Sequence, residues 1–281
     1  MKDTFFSSNL KFKCQGILHE FDKPIVMGII NATPDSFYAK SRLLENKGLE
    51  QAEKMIEEGA KILDIGGYSS RPGAADISVN EEILRVVPLI RKIRDQYPSI
   101  LISIDTFRSE VAAAAIDAGA NIVNDISGGQ LDTRLFEVAG KNQCPYILMH
   151  MRGTPQSMMN NTNYINLIEE LNHFFKNQID KAQHAGVSDF IIDPGFGFSK
   201  TTESNYELMA KLEAFQELNL PILVGVSRKS MIRKKLNVST EEALNGTSIL
   251  NTIALMKGAH ILRVHDVKPA FEAVELVSAI R

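Results

Sequence analysis

The sequence predicts an α/β fold, a TIM (β/α)8 barrel with an N-terminal hairpin covering its bottom. Two observations carry that prediction. Short apolar runs of β type recur eight times, each ending in polar side chains, and a helix-length segment follows every run. The runs end at Asn31, Gly67, Asp105, Asp125, His150, Asp193, Lys229 and His265. Parallel strands in a closed barrel bring all such ends to one mouth.

The elements follow in order. PIVMGIIN (24–31) leads through a polar loop into LLENKGLEQAEKMIEEGA, apolar at helical spacing and closing at Gly59. KILDIGG (61–67) passes through YSSRPGA into a helix from about Asn80 to Gln96, and LISIDT (101–106) precedes the Ala-rich SEVAAAAIDAGA. NIVNDI, PYILMH, DFIIDP, PILVGVS and HILRVH supply the other strands, with helices expected near 132–140, 163–185, 203–216, 241–257 and 268–280. Gly59, Gly119, Gly186 and Gly258 stand where helix C-caps belong. Residues 1–23 form an extension, with a small hairpin expected within 4–22, and 24–281 form the barrel as a single domain. An open doubly wound sheet is the weaker alternative, because no GxGxxG follows the first strand and GFGF (195–198) lacks the third glycine.

Composition narrows the function classes. A chain of 281 residues with 44% hydrophobic and 23% charged residues can bury a large core. Its formal charge of −3 makes no electrostatic case for nucleic acid or an anionic membrane, so any anion must be held locally. No stretch approaches the roughly 20 apolar residues that span a bilayer, and the N-terminus has no secretory core; a cytoplasmic protein is expected. Cys14 and Cys144 are too few for a disulfide framework or a zinc site and are read as reduced thiols.

Several strand ends carry chemistry. Asn31 opens NATPDSF (31–37), where an Asn is ordinarily a turn residue, but its strand-end place favours a functional role. GGYSSRPGA (66–74) has two hydroxyls and Arg71 and could handle an anion, though composition alone slightly favours a flexible connection. Asp105, Asn124, Asp125 and Asp193 end apolar runs. One such Asp is often a cap, whereas several at one mouth are better explained as a constellation reading ligand donors. Arg263 and His265 alternate along the last strand and so face one side, an anion clamp in the customary phosphate region, near the cations of SRK (227–229). His150 and Arg152 are left as pocket lining. No HExxH, GxSxG, Cys cluster or P-loop occurs, which argues against zinc hydrolysis, serine-nucleophile and Walker-type chemistry.

Together NATPDSF, DIGGYSSRPGA, SIDT, NDISGG, DPGFGF, VGVSRKS and RVHDV resemble the dihydropteroate synthases, pterin-binding barrels of the folate pathway, from about residue 24 to the C-terminus. The resemblance implies a transferase that joins 6-hydroxymethyl-7,8-dihydropterin diphosphate to 4-aminobenzoate, with magnesium (Mg2+) as cofactor, and a homodimer. It implies that Asn31 holds the metal on the diphosphate, while Arg263 and His265 bind diphosphate oxygens. Asp105, Asn124 and Asp193 would read the pterin edge, with Asp105 also favouring a developing cation, and Met149 and Gly225 would line the slot. Lys229 would bridge the pterin carbonyl and the aminobenzoate region. Ser70, Arg71, Pro72, Phe198 and Ser227 would surround the aminobenzoate ring, and the helix starting near Ser230 would offer N–H groups to its carboxylate. Asp105, Lys229, Arg263 and His265 are thus the expected catalytic set.

The chain departs from the family pattern at Tyr38, Ala39, Lys40 and Ser41, where a Ser-Asp-Gly-Gly turn is usual. It departs again at Tyr68 and Ser70, in place of the commoner Glu and Thr, and at Ser199, in place of Gly. Two rival readings remain: a methyltetrahydrofolate-dependent corrinoid methyltransferase, which would have little use for a diphosphate site, and a non-catalytic pterin-binding paralogue, motivated by the altered first loop.

Overall fold

The computed structural model describes residues 10–32, 41–69 and 76–280. Two short strands come first, β1 (Leu10–Cys14) and β2 (Ile17–Phe21), paired antiparallel from Leu10↔Phe21 to Cys14↔Ile17. Gln15 and Gly16 between them both take positive φ, as two-residue hairpins of the primed kind require. β1 alternates buried and exposed, so Leu10, Phe12 and Cys14 share one apolar face.

Eight parallel strands follow: β3 (Ile25–Asn31), β4 (Ile62–Gly66), β5 (Leu101–Asp105), β6 (Ile122–Asp125), β7 (Tyr146–Met149), β8 (Phe190–Asp193), β9 (Leu223–Val224) and β10 (Ile261–Val264). Their order is β8-β7-β6-β5-β4-β3-β10-β9, and a parallel bridge from Ile192 to Ile222 joins the two ends. The sheet is therefore a barrel. Between the strands lie α1 (Ser41–Glu57), α2 (Val79–Gln96), α3 (Ser109–Asp117), α4 (Arg134–Lys141), α5 (Leu167–His184), α6 (Thr202–Ala210) and the pair α7 (Ser230–Leu236) and α8 (Leu244–Met256), and α9 (Val267–Ala279) closes the chain.

Strand parity sets which side chains face inward. Ile25, Ile62, Leu101, Ile122, Ile147, Ile191, Leu223 and Ile261, one from each strand, pack with Leu10, Phe12 and Cys14 of the hairpin. The hairpin thus plugs the bottom of the barrel. The alternate residues, such as Ile102, Ile104, Val123 and Leu148, join the larger core beneath the helices. Burial raises the Cys14 thiol to about 11 and the Cys144 thiol to about 12, and both cysteines are free.

The four glycines expected at helix ends all have positive φ. One expected helix differs. The segment 203–216 splits into α6 and a 3₁₀ run, Leu212–Leu218, which buries Leu212 and Phe215. Leu212, Phe215 and Leu218 recur every third residue, a spacing that aligns on a 3₁₀ helix and drifts on an α-helix.

Candidate active site

Two residues above the apolar floor the same parity places polar side chains inside the barrel. Asp64 follows Ile62, Ser103 and Asp105 follow Leu101, Asn124 follows Ile122, Asp193 follows Ile191, and Arg263 follows Ile261. The upper half of the barrel is therefore lined with polar groups.

Arg263 is the hub. Its Nε donates to Asp64 Oδ2 at 2.6 Å and its Nη2 to Asp105 Oδ2 at 2.5 Å, while Asn124 Nδ2 donates to the same Asp64 oxygen at 3.0 Å. Asp64 is fully buried, and its other oxygen, Oδ1, has no partner among the described residues. Burial works against the Arg263 charge, but Asp64 and Asp105 outweigh it and hold the guanidinium protonated. Burial raises the Asp105 carboxyl to about 7, with Arg263 opposing and Asp64 adding to the rise. Asp105 stays 18% exposed and Arg263 20%, so both still face the mouth.

Across the mouth, Asp193 Oδ1 accepts the Gly195 N–H at 2.7 Å, and burial raises its carboxyl against the pull of Lys229. Burial lowers the Lys229 ammonium to about 8, partly offset by Asp193. Lys229 Nζ donates to Phe196 O and lies 4.8 Å from the centre of the Phe198 ring. Phe198 packs with Phe107 against an apolar group formed by Ile126, Met149, Met151 and Met158. The site so joins an apolar wall to a ring of carboxylates and cations. A Cβ on Gly225 would meet only ordinary contacts, Arg263 Cβ and Lys229 Nζ each at 3.9 Å. The missing side chain leaves space inside the mouth.

The loops after β9 and β10 are locked together. Arg228 donates to Asp266 through Nε (2.8 Å) and Nη2 (2.9 Å), a bidentate pair, and the His265 N–H reaches Ser227 Oγ at 3.2 Å. His265 is half-buried beside this pair, Ser230 opens α7 and is exposed, and Asn31 is exposed at the end of β3.

The structure brings together Asp105, Asn124, Met149, Asp193, Phe198, Gly225, Ser227, Lys229, Arg263 and His265. Ser70, Arg71 and Pro72 lie outside the described residues, as do Tyr38, Ala39 and Lys40. Asp125 departs from expectation. Odd parity turns it out of the barrel, where it accepts from the Ser127 N–H and Oγ, the Gly129 N–H and the Tyr146 hydroxyl. It is a turn anchor and no part of the mouth. Asp64 is the residue that sequence reading passed over; its signal was the two-residue spacing from Ile62. Tyr68, where Glu is commoner, sits under the Arg108 guanidinium (5.2 Å) and edge-on to Phe107 (5.0 Å), so an aromatic stack takes up the substitution.

Comparison with known proteins agrees with this geometry. The profile of the pterin binding enzymes matches residues 27–265. The dihydropteroate synthase of Escherichia coli strain K12 is 42% identical over 275 residues, 96% of each chain. The chain belongs to the dihydropteroate synthases. Among solved structures, the Yersinia pestis dihydropteroate synthase with a sulfonamide drug superposes with a TM-score of 0.90 at 39% identity, covering 97% of this chain and 99% of that one. The Xanthomonas albilineans dihydropteroate synthase with 4-aminobenzoic acid gives 0.89 at 35% identity, covering 97% and 98%. As a member of the dihydropteroate synthases the chain is a transferase of folate biosynthesis. No described helix is long and apolar enough to cross a membrane.

Proposed function

We propose that this mouth condenses 6-hydroxymethyl-7,8-dihydropterin diphosphate with 4-aminobenzoate to dihydropteroate by dissociative displacement of diphosphate. The observation that carries the reading is the joining of Asp64, Asp105, Asn124, Asp193, Lys229 and Arg263 around the space beside Gly225. A pterin is flat and rimmed with N–H donors and ring acceptors, and this ring of carboxylates, amide and cations offers the complementary set. The X. albilineans relative, solved with 4-aminobenzoic acid, supports the second substrate.

The reaction breaks the C–O bond between the pterin methylene and diphosphate and forms a C–N bond, and the amine nitrogen then loses one proton to the departing diphosphate or to water. The aminobenzoate amine is already neutral near pH 7, so it attacks without a prior base. Charge separation is the barrier, and fixed charges aimed at it lower the barrier most. Asp105, ionised and beside the pterin, favours the cation that develops on the methylene. Arg263 and His265 face the leaving diphosphate. Lys229 ties the pterin carbonyl to the Phe198 wall, and Ser227, with the start of α7 at Ser230, lies on the aminobenzoate side, to which the family resemblance also assigns Ser70, Arg71 and Pro72.

Magnesium fits this arrangement. Among the described residues no group of three or more His, Cys, Asp or Glu is placed to hold a metal, but magnesium takes oxygen ligands, keeps several waters and needs only one or two protein oxygens beside substrate phosphates. The exposed carboxamide of Asn31 at the mouth would supply one such oxygen. When bound, the ion would neutralise charge on the leaving diphosphate.

A cytoplasmic homodimer completes the reading. Ile249, Ile253 and Met256 on α8 recur at helical spacing and stay 38–50% exposed, and α9, which packs on α8, leaves Leu276 exposed (70%), with Ile280 (74%) just past its end. Such a stripe suits burial against a second copy. Incubating the purified protein with both substrates and Mg2+ tests the activity by following dihydropteroate. Tight pterin binding without product would instead support the non-catalytic paralogue.

A further inference from the structure

His150, the residue after β7, has no part in the mechanism above, and neither has Lys200, the last residue of DPGFGFSK (193–200). The two meet. Lys200 is only 2% exposed, and its ammonium finds three acceptors: Gly195 O at 3.0 Å, Phe198 O at 3.0 Å and His150 Nδ1 at 3.1 Å. An ammonium has three N–H donors, and here each has a partner. With Lys200 charged, Nδ1 of His150 accepts, and the ring proton is then on Nε2. Burial, with Lys200 and Arg152 adding to it, pushes the His150 imidazole well below its ordinary range and keeps it neutral.

Other contacts clasp the same loop to the segment after β7. A Cβ on Gly195, whose φ is +72°, would stand 2.1 Å from His150 O, so only glycine permits this approach. Ser199 also takes positive φ, and its Oγ accepts the Arg152 N–H at 2.7 Å and donates to Arg152 O at 3.0 Å. The Tyr164 hydroxyl donates to Ser199 O at 2.9 Å. Between Asp193 and Lys200 this clasped loop carries Phe196, whose carbonyl holds Lys229, and Phe198, whose ring Lys229 overlies.

We propose that Lys200, held by His150, is a positioning residue that fixes the 195–200 loop so that Phe198 and Lys229 present a formed wall to 4-aminobenzoate. The inference rests on the proposed function. A Met of similar length would fill the same space without desolvating a charge, which costs several kcal/mol, so what the amine adds is three directed bonds. Burial lowers the Lys200 ammonium to about 7, against Asp193 and with Lys229 and Arg152, which agrees with a tether drawn fully out of water.

The test is steady-state kinetics of the full chain with each substrate varied in turn. Lys200→Met and His150→Leu should each raise KM for 4-aminobenzoate about ten-fold, the loss of a charge-assisted hydrogen bond, and raise KM for the pterin diphosphate by a clearly smaller factor, since Asp193 and Lys229, which touch the same loop, also reach the pterin. His150→Gln, which keeps an acceptor, should recover most of the loss, and the double variant Lys200→Met with His150→Leu should be no worse than Lys200→Met alone. Equal rises in both KM values, or a lower Tm with both unchanged, would overturn the inference. Should Lys200→Met not fold, Tyr164→Phe keeps the ring and removes one bond to Ser199; a rise of about three-fold in the 4-aminobenzoate KM is expected, and no rise overturns it. Wild-type protein that makes no dihydropteroate refutes the proposed function, whereas active wild type with indifferent variants refutes only the positioning role.

Discussion

At the scale of single residues, the site sets its own pH range. Asp105 accepts pterin N–H groups most strongly when ionised, and its carboxyl sits at about 7; Lys229 donates most strongly when protonated, and its ammonium sits at about 8. The two signs bracket a narrow window. Affinity for the free hydroxymethyl pterin, which carries no titrating phosphate, should rise with pH through about 7 and fall above about 8. Calorimetry across that range checks the shape. Asp105→Asn should weaken binding about ten- to a hundred-fold and flatten the acid limb, because Arg263 and the ligand lose a charged acceptor. Lys229→Ala should remove the alkaline limb. If the Asp105→Asn variant kept its acid limb, another group would be setting it, and the assignment of Asp105 would fall. Most of these residues were legible as the polar ends of apolar runs, since several carboxylates gathered at one end of a barrel exceed what turns need, although Asp125 shows that a single one can serve a turn. Asp64 was not, because it stands inside the run LDIGG, and only the position of Ile62 two residues before it reveals the side it faces. Lys200 was hidden more deeply. Its role depends on the positive φ of Gly195 and Ser199, which the side-chain pattern does not encode.

At the scale of elements, the hairpin and the barrel floor depend on each other. Phe12 is 2% exposed and packs with Leu10 and Cys14 on the inward residues of the strands, at the end of the barrel away from the mouth. Phe12→Ala should therefore cost about 3–5 kcal/mol of unfolding free energy, the transfer loss plus the cavity left behind. Chemical denaturation measures it. Both KM values should stay unchanged, since the polar layer with Arg263 lies between this cavity and the mouth. A loss of substrate affinity without a loss of stability would mean that the floor and the mouth are not separable. The eight strands and the hairpin were legible because alternation and run length report burial directly. The break within 203–216 was less so, because apolar spacing of three and of three-and-a-half differ by little over two turns. Residues 33–40 and 70–75 lie outside the described residues, so the Ser70, Arg71 and Pro72 assignments still stand on the family resemblance.

At the scale of the whole molecule, the question is how much apolar surface a monomer can leave in water. α8 buries one side, Thr247, Leu250, Asn251, Ala254 and Leu255, and turns Ile249, Ile253 and Met256 outward. Leu276 on α9 and Ile280 just past its end are also exposed, and Leu236 at the end of α7 is 53% exposed. Single exposed apolar residues are ordinary, but a run at 249, 253 and 256 lies along one side of α8 at helical spacing. A closed two-fold pairing buries such a face on both copies at once. Ile249→Lys together with Ile253→Lys would place two ammonium groups in that contact and two more by symmetry, weakening association by at least about ten-fold, or about 1.4 kcal/mol. Sedimentation of wild type should give a dimer, and the double variant should shift toward monomer as concentration falls. Because neither residue reaches the inside of the barrel, turnover per chain should hold wherever the monomer stays folded. Wild type sedimenting as a monomer at every concentration would remove the stripe as an interface. A dimer indifferent to both lysines would move the contact to another face.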